Sequence, residues 1–547
     1  MPRPAQGNSP LKKAADATLG LGVMFRSGLA PFPRVDDGIR SLLAVRQYGP
    51  FVGAVRHAAR RHGGKTALVD ERGELTYREL DDLSNALCRA WRARGIGVGA
   101  VFAALCRDHR GLVITMLAAG KTGARLVLMN TGFGARQLAE VAVRENVAAL
   151  VYDQEFAGLL AEVDPALDRY LSWVDDPEDR ATIGDAVPLT ELIDGEVSDA
   201  GPPPEKPGGF VLLTSGTTGT PKGAPRERTS ALASAQFLDR IPMRRGDTVY
   251  LAAPIFHGTG LSQFVLAFAL GCKVVVHRRF DPEVALATLE RHRCDVLVVV
   301  PTMLQRIVDT AEVHKGRFDT GTLRIVFAAG SSLSPDLCRR TADVFGEVLY
   351  NLYGSTEVAV VTVATPEDLR RAPGTVGRPP VTCRVALYDD EGNQITVPDR
   401  TGRVFAASGL SFAGYTDGAT KEIVDGLLAT GDVGHFDADG LLFIDGRDDD
   451  MIVSGGENVF PLEVENVLVE REDVVEAAVL GVPDEEFGQR LKAFVVPTED
   501  ASLDEEEVKA YVKENLARYK VPREVVFLEA LPRNATGKVL RRKLSDY

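Results

Sequence analysis

A segment rich in glycine and hydroxyl side chains, TSGTTGTPKG, occupies positions 214–223. Its glycines permit a tight turn whose backbone N–H groups can face an anion, and its hydroxyl groups and single lysine add donors and a positive charge. The pattern predicts a loop that binds a polyphosphate, with a flexible surface turn as the alternative. It differs from the Walker A pattern, in which lysine directly follows the second glycine. The predicted nucleotide-binding residues of the segment are Thr214, Ser215, Gly216, Thr217, Thr218, Gly219 and Lys222.

Four shorter motifs downstream carry charged side chains that suit a bound nucleotide. YGSTE supplies Glu357, and one carboxylate together with phosphate oxygens suits Mg²⁺. LATGD and DGR supply Asp432 and Arg447, which can hydrogen-bond ribose hydroxyls or phosphate oxygens. PRNATGKVL puts Lys538 in a glycine-flanked loop near the C-terminus. Taken alone each motif is weak evidence, because an ordinary polar turn or a solvated lysine would look the same.

These motifs lie in or after a stretch where predicted strands and helices alternate. The strands are the apolar runs TVYLAAP, KVVVH, DVLVVVP, LRIVFAAG and VLYNLYG, and the helices begin near Leu261, Pro282, Thr302 and Pro335. Asp281 followed by Pro282 is a favourable helix start, because aspartate caps the first turn and proline fits its first position. Short apolar runs between helices indicate βαβ units and a parallel sheet. The predicted fold class is α/β.

The composition is that of a globular protein, with 547 residues, 45% hydrophobic and 26% charged, and a formal charge of −14. Net acidity argues against nucleic-acid binding, which requires a basic surface. The sequence has no apolar run of about 18 residues and no signal-peptide pattern. Its six cysteines form no CxxC pair, which favours reduced thiols over a disulfide framework or a zinc site. These features predict a cytoplasmic protein.

Shifts in composition predict the domain boundaries. Residues 1–49 contain five prolines, which are expected to break any long amphipathic helix, so an N-terminal extension or strap on the main body is predicted. An interfacial helix giving weak peripheral membrane contact is the alternative. A Pro/Gly-rich linker at 201–209 leads into the strand FVLL. The acidic stretch GRDDD, which begins at Gly446, separates residues 50–446 from a smaller unit at 447–547. Two helices and two strands predicted in that unit are enough for an α+β domain.

In this order and at these separations, TSGTTGTPKG, YGSTE, ATGD, DGR and PRNATGK resemble the motifs of the adenylate-forming superfamily. Its members include acyl-CoA synthetases, luciferases and the adenylation domains of nonribosomal peptide synthetases. The resemblance covers roughly residues 50–547. It implies a large N-terminal AMP-binding domain with parallel-sheet βαβ layers and a small mobile α+β C-terminal domain, with Asp449 at the hinge. It also implies two steps: a carboxylate attacks the α-phosphate of ATP with loss of pyrophosphate, and the acyl-adenylate is then passed to a thiol.

The resemblance also implies roles for single residues. Glu357 would bind Mg²⁺, and Lys222 would help to hold pyrophosphate. Lys538 would bridge the carboxylate and the α-phosphate in the first step and withdraw for the second. Glycines leave room beside the backbone for the pantetheine arm of coenzyme A, whose predicted contacts are Ser454, Gly455 and Gly456. The remaining ATP-binding residues would be Ala329, Gly330 and Ser331 around the base, Tyr353, Gly354 and Thr356 near adenine, and Asp432 and Arg447 at the ribose.

The segment PIFHGTGL matches the family segment that borders the acyl pocket. Amino-acid-adenylating relatives place an aspartate there, whereas this chain has Phe256 and His257, so a buried ammonium group would lack a partner. His257 is predicted to gate the acyl tunnel or to orient the carboxylate, with an ordinary pocket histidine as the alternative. The prediction is a Mg-ATP-dependent ligase that joins a medium- or long-chain fatty acid to coenzyme A. The alternatives are an acyl-AMP ligase that loads a carrier protein and a non-catalytic nucleotide-binding relative.

Overall fold

The computed structural model describes residues 10–29, 35–199, 201–214, 222–225, 233–355, 357–411, 421–448, 450–454, 457–484, 488–499, 501–534 and 537–547. Within these ranges the helices are α1 (Pro10–Ser27), α2 (Val35–Tyr48), α3 (Pro50–His62), α4 (Tyr77–Ala93), α5 (Arg110–Thr122), α6 (Ala135–Arg144), α7 (Arg180–Ile183), α8 (Leu189–Ile193), α9 (Ala233–Leu238), α10 (Gly258–Ala269), α11 (Pro282–His292), α12 (Pro301–Val313), α13 (Pro335–Phe345), α14 (Pro366–Arg371), α15 (Pro461–Leu468), α16 (Glu505–Asn515) and α17 (Arg541–Leu544), with short 3₁₀ helices at Gln154–Glu162 and Arg518–Lys520.

Strands in the same ranges alternate with these helices through most of the chain. They are β1 (Thr66–Asp70), β2 (Gly73–Thr76), β3 (Val101–Leu105), β4 (Arg125–Leu128), β5 (Ala149–Asp153), β6 (Asp168–Trp173), β7 (Val187–Pro188), β8 (Phe210–Thr214), β9 (Lys222–Pro225), β10 (Thr248–Leu251), β11 (Lys273–Val276), β12 (Val296–Val299), β13 (Ile325–Ala329), β14 (Leu349–Tyr353), β15 (Thr362–Ala364), β16 (Arg384–Tyr388), β17 (Gln394–Ile395), β18 (Gly402–Ala407), β19 (Ile423–Val424), β20 (Leu427–Phe436), β21 (Leu442–Arg447), β22 (Ile452–Ser454), β23 (Glu457–Val459), β24 (Val474–Asp484), β25 (Gly488–Pro497) and β26 (Glu524–Phe527).

Two largely parallel sheets form the greater part of the protein. The first has the order β15-β14-β13-β12-β10-β11-β1-β2 and is parallel from β14 to β1, with an antiparallel strand at each edge. The second has the order β7-β6-β5-β3-β4-β8-β9 and is parallel except for β9. Ligands of open parallel sheets bind beyond the carboxyl ends of the strands. The turns that follow β13 and β14 lie at that edge of the first sheet.

An aromatic core joins the two parallel sheets. The ring of Phe51, on α3, lies 5.2 Å from the ring of Phe264 and 5.5 Å from that of Phe268, both on α10, measured between centroids. The same Phe51 ring lies 6.0 Å from the ring of Phe210 on β8. Tilted and edge-to-face rings add about 0.5–1.5 kcal/mol per pair beyond the burial of their surface. Because α10 follows a strand of the first sheet and β8 belongs to the second, these contacts stabilise one sheet against the other.

Two further sheets complete the chain. One is antiparallel, with the order β17-β16-β18-β20-β19 and β21 paired to β20; the other, in the C-terminal part, has the order β23-β22-β25-β24 with β26 parallel to β25. The change of sheet falls between Arg447 and Ile452, at the acidic stretch. The domain boundary between residues 446 and 447 stays a prediction. Asp449, the predicted hinge, lies outside the described residues.

The predicted fold class is confirmed, as is the alternation of strands β10 to β14 with helices α10 to α13. Asp281 caps α11 by accepting hydrogen bonds from the N–H groups of Glu283 and Val284, both at 2.9 Å. The expectation that prolines break any long helical pattern in the first fifty residues was wrong. Pro10 stands at the start of α1, where its missing N–H costs nothing, and the helix continues for 18 residues.

Candidate active site

A cavity of about 2840 Å³ is lined by residues from both sides of the change of sheet: the large part of the protein, up to Arg447, and the C-terminal part that follows it. It lies beside the turns that follow β13 and β14, at the edge where a parallel sheet is expected to bind its ligand. The structure therefore brings together residues that are far apart in the sequence. The predicted site residues that line this cavity are His257, Ala329, Gly330, Ser331, Tyr353, Gly354, Glu357, Asp432, Arg447 and Lys538.

The structure does not place the other predicted residues at the cavity. Thr214 and Lys222 pair opposite each other on β8 and β9, but their side chains are outside the described part of the chain. Ser454 lies on β22 and is not among the described residues that line the cavity, so its role in binding coenzyme A stays a prediction. The predicted residues that lie wholly outside the described ranges are Ser215, Gly216, Thr217, Thr218, Gly219, Thr356, Asp449, Gly455 and Gly456.

Two glycines shape the turns after the central strands. Gly330, directly after β13, has a φ of 108°, a backbone conformation that favours glycine. A Cβ atom on Gly354, directly after β14, would lie 1.9 Å from the carbonyl oxygen of Ala359, so no larger residue fits there. Both turns face the cavity. The backbone can therefore approach a flat ligand closely at this edge of the sheet.

Tyr353, Asp432 and Arg447 form one hydrogen-bonded cluster on the wall of the cavity. The Tyr353 hydroxyl donates to Oδ2 of Asp432. Asp432 and Arg447 are paired in register on β20 and β21, which brings Nη1 of Arg447 to 3.4 Å from Oδ1 of Asp432. Burial raises the pKa of the Tyr353 hydroxyl well above its usual value, so the hydroxyl keeps its proton and remains a donor. No sequence pattern indicates the hydrogen bond between Tyr353 and Asp432.

Lys538 faces this cluster from the C-terminal part. Burial raises the pKa of Asp432, whereas the hydrogen bond from Tyr353 and the charges of Arg447 and Lys538 lower it. Lys538 and Asp432 line the same cavity. The backbone N–H of Lys538 donates to Oδ1 of Asn534 at 2.9 Å, which orients the loop.

The loop that carries Lys538 is seated against α12. Gly537 has a φ of 78°, and a Cβ atom there would lie only 2.3 Å from Oγ1 of Thr302. Arg533 donates a hydrogen bond to the carbonyl oxygen of Gly537 and pairs with Glu476, which ties the loop to β24. The lysine is thus held over the cavity by a close contact between the C-terminal part and the large part. Thr302 has no sequence signal that would single it out.

The Glu357 carboxylate is suited to bind a magnesium ion only together with the phosphates of a nucleotide. Its side chain lines the cavity beside the turn that follows β14. Among the described residues no group of three or more His, Cys, Asp or Glu side chains could hold a metal ion. Mg²⁺ prefers one or two carboxylates together with substrate phosphates and water. The Glu357 carboxylate therefore suits magnesium carried by ATP rather than a dedicated protein site.

His257 contributes an unpaired ring nitrogen to the site. It is the N-cap residue of α10, and its backbone N–H donates to the carbonyl oxygen of Pro254 at 3.1 Å. Its Nε2 atom is buried and has no hydrogen-bond partner among the described residues. Burial lowers the pKa of the imidazole to about 4, so the ring is neutral near pH 7. A neutral imidazole can hydrogen-bond a substrate but adds no positive charge to the site.

Apolar and aromatic side chains also line the cavity. Phe133, Phe237 and Phe327 line it together with Leu213. These residues come from separate parts of the sequence, and no motif marks them, so sequence reasoning missed them. Gln263, 1.7 turns after His257 on α10, is fully buried, and neither polar atom of its amide is paired within the described part of the chain. A buried polar group without a partner is rare and is expected to have a specific role.

Comparison with known proteins agrees with this geometry. Residues 55–416 match the family model described as AMP-binding enzyme, and residues 463–538 match that of the AMP-binding enzyme C-terminal domain. The chain is 31% identical to an indoleacetate–CoA ligase of Aromatoleum aromaticum, over 88% of this chain and 95% of the relative. It is also 31% identical to a fatty acid–[acyl-carrier-protein] ligase of Streptomyces coeruleorubidus, over 88% of this chain and 93% of the relative.

The fold has a solved counterpart that holds a reaction intermediate. An o-succinylbenzoate CoA synthetase from Bacillus subtilis, in complex with its acyl-adenylate, superposes with a TM-score of 0.76 at 25% identity, over 90% of this chain and 98% of that one. The two family models together cover most of the 547 residues, including the segments that contribute Tyr353 and Lys538 to the cavity. The chain therefore belongs to the AMP-binding enzyme family, within the adenylate-forming superfamily that its motifs resemble.

Proposed function

We propose that this protein is a Mg-ATP-dependent acid–CoA ligase, which converts a carboxylic acid to an acyl-adenylate and then to an acyl-CoA. The observation that carries the proposal is the position of Lys538, on a loop seated against α12 and lining the same cavity as Asp432. The lysine of the C-terminal part and the proposed nucleotide-binding wall of the large part thus line one cavity. CoA is the acceptor because the matched ligases include CoA ligases with which the chain aligns along nearly its whole length.

In the first step a carboxylate oxygen bonds to the α-phosphorus of ATP, and the bond from that phosphorus to the bridging oxygen of pyrophosphate breaks. Both reactants are anions, so the barrier is largely repulsion and positioning. Lys538 would bind both anions, and Asp432 with Arg447 would hold the ribose. Glu357 would hold magnesium, which when bound neutralises charge on the leaving pyrophosphate. The Tyr353 hydroxyl would keep the Asp432 carboxylate oriented toward the nucleotide.

In the second step the thiol of coenzyme A attacks the acyl carbon, AMP leaves and a proton is released. Lys538 has no role once the adenylate exists, so its loop must leave the wall to admit the thiol. The proposed pivot is Asp449, at the boundary between residues 50–446 and 447–547. Ser454, Gly455 and Gly456 would then line the path of the pantetheine arm. One enzyme would thus perform two steps by exchanging the residues that complete its site.

The acid is proposed to have an apolar tail. Phe133, Phe237 and Phe327 line the same cavity as His257, and the neutral imidazole offers no charge to an ammonium group. Two of the matched proteins are named for aryl acids, which favours an aryl tail. A medium- or long-chain fatty acid fits the same apolar wall and is the second candidate. The fatty acid–[acyl-carrier-protein] ligase supports a carrier protein as the alternative acceptor.

The test is acid-dependent release of pyrophosphate from Mg-ATP, across acids from acetate to oleate and a set of aryl acids. Products with coenzyme A or with a carrier protein are then identified by mass. We expect pyrophosphate release with at least one apolar acid, and a CoA thioester as the product. Release without any thioester would overturn CoA transfer alone. No release with any acid would overturn the whole proposal.

A further inference from the structure

Helix α2 turns an apolar stripe toward solvent. Ile39, Leu42 and Leu43 are exposed by 54%, 62% and 50%. Their spacing, i, i+3 and i+4, places them side by side on one face of the helix, and Arg46 extends the same face by one turn. The pattern is that of an amphipathic helix, but its apolar side faces outward. An exposed apolar patch of this kind marks an interaction surface.

The opposite face of α2 is buried against the rest of the protein. Ala44 and Tyr48 are buried, and α2 packs against α3. Asp37 forms an ion pair with Arg61 of α3 and lies 3.3 Å from Nε2 of His57 on the same helix, and these contacts set the rotation of α2 about its own axis. The apolar stripe therefore cannot turn inward while these contacts are kept.

Helix α1 repeats the arrangement. Its residue Val23 is buried and the helix packs against α9, while Leu19, Leu21 and Phe25 are exposed by 58%, 46% and 49%. Leu21 and Phe25 are one turn apart on the side away from Val23. We name the outward faces of α1 and α2 the N-terminal helical surface.

Positive charge accompanies this surface in an otherwise acidic protein. Residues 1–49 carry a formal charge of +4, whereas the whole chain carries −14. Arg26, Arg40 and Arg46 are exposed, and none of them forms an ion pair with a described acidic residue. The basic residues of the segment are Arg3, Lys12, Lys13, Arg26, Arg34, Arg40 and Arg46, and the acidic residues are Asp16, Asp36 and Asp37.

We propose that the N-terminal helical surface binds an anionic lipid bilayer. Apolar side chains enter the boundary between headgroups and acyl chains, and arginines beside them reach the phosphates. No helix among the described residues is long and apolar enough to cross a membrane. The contact is therefore one of lying on the bilayer.

Charge favours a lipid surface over a second copy of this chain. A two-fold dimer places the same patch of each subunit against its twin, so two segments of charge +4 would repel each other. Anionic headgroups attract the same charge, and the attraction weakens with salt. An acid with an apolar tail also concentrates in a bilayer, so the enzyme would meet its substrate there.

The experiment is co-sedimentation of the full-length protein with vesicles of phosphatidylcholine that contain about one-third phosphatidylglycerol, against pure phosphatidylcholine. We expect binding to the anionic vesicles that falls as salt is raised. The variant Leu42→Ser with Leu43→Ser should lower the partition coefficient about tenfold or more, because it removes two inserted side chains. Arg40→Glu with Arg46→Glu should bind weakly and lose the salt dependence.

The matched control is Val143→Ser with Val313→Ser, since both valines are exposed, by 78% and 79%, on other helices. It should bind like the native protein. Pyrophosphate release with a water-soluble acid reports that each variant remains folded. The proposal is overturned if the native protein does not bind anionic vesicles, if the Leu42 and Leu43 variant binds equally well, or if that variant instead converts a dimer to a monomer in solution.

Discussion

Gly537 offers a direct test of whether the docked loop gives Lys538 its role. An alanine there meets two separate costs. The φ of 78° is unfavourable for any side chain, by about 1–2 kcal/mol. The new Cβ would also lie 2.3 Å from Oγ1 of Thr302, and such overlap in a packed contact costs about 1–3 kcal/mol.

The two costs act on different states of the protein. The backbone strain is present wherever the loop goes, whereas the overlap exists only while the loop touches α12. Gly537→Ala should therefore disfavour the docked state by about 1–3 kcal/mol, or roughly 5- to 150-fold at 1.36 kcal/mol per tenfold. We expect that loss in acid-dependent ATP–pyrophosphate exchange. Thioester formation from supplied acyl-adenylate should be nearly unchanged.

A matched control separates overlap from strain. Gly440 has the same φ of 78°, but no atom of the described residues lies within 4 Å of a Cβ atom placed there. Gly440→Ala therefore adds backbone strain alone. Adding Thr302→Ala to Gly537→Ala removes the clashing oxygen and should restore most of the exchange rate. If Gly537→Ala and Gly440→Ala slow exchange equally, or if Thr302→Ala restores nothing, the docked loop does not govern adenylation.

Four other substitutions test single side chains. Lys538→Ala should abolish pyrophosphate exchange and spare thioester formation from supplied acyl-adenylate; equal loss of both would contradict a role confined to the first step. Tyr353→Phe removes a hydrogen bond to the Asp432 carboxylate worth about 1.5–3 kcal/mol, so the KM for ATP should rise about tenfold or more. Burial lowers the pKa of the His257 imidazole to about 4, against 6.5 in the unfolded chain, so the free energy of unfolding should fall as pH drops from 6.5 to 4. When this free energy is measured by urea unfolding at a series of pH values, it should depend less on pH in His257→Gln than in the native protein. Gln263→Leu removes an unpaired buried amide and should raise the free energy of unfolding in urea by about 1–3 kcal/mol; lower stability would show that the amide has a partner in solution.

The central sheet could be predicted because its strands are buried on both faces. Such strands are continuous apolar runs, and Val296 to Val299 is a clear example in this chain. Local capping chemistry then placed the start of α11 at Pro282. The motif residues could be predicted as a set because they recur in a known family. Their convergence on one cavity, by contrast, depends on the topology of the sheets.

The contacts between distant segments could not be predicted. The bond from Tyr353 to Asp432 joins β14 to β20, and the contact of Gly537 with Thr302 joins a C-terminal loop to α12. Neither pair has a local pattern, because each depends on how whole elements pack. The same limit explains α1 and α2: their periodicity predicts an apolar face but does not say which neighbour, if any, covers it.

These long-range contacts also decide how the proposed two steps can alternate. In the proposed nucleotide-binding wall, Asp432 and Arg447 are held by strand pairing. The loop that carries Lys538 contacts α12 at Thr302, and a single Cβ on Gly537 would disturb that contact. A cation needed for one step and unwanted in the next is best carried by the weaker of the two attachments. The structure has that asymmetry, since the proposed ribose-binding pair is held by strand pairing and the lysine's loop by the fit of a glycine against a threonine.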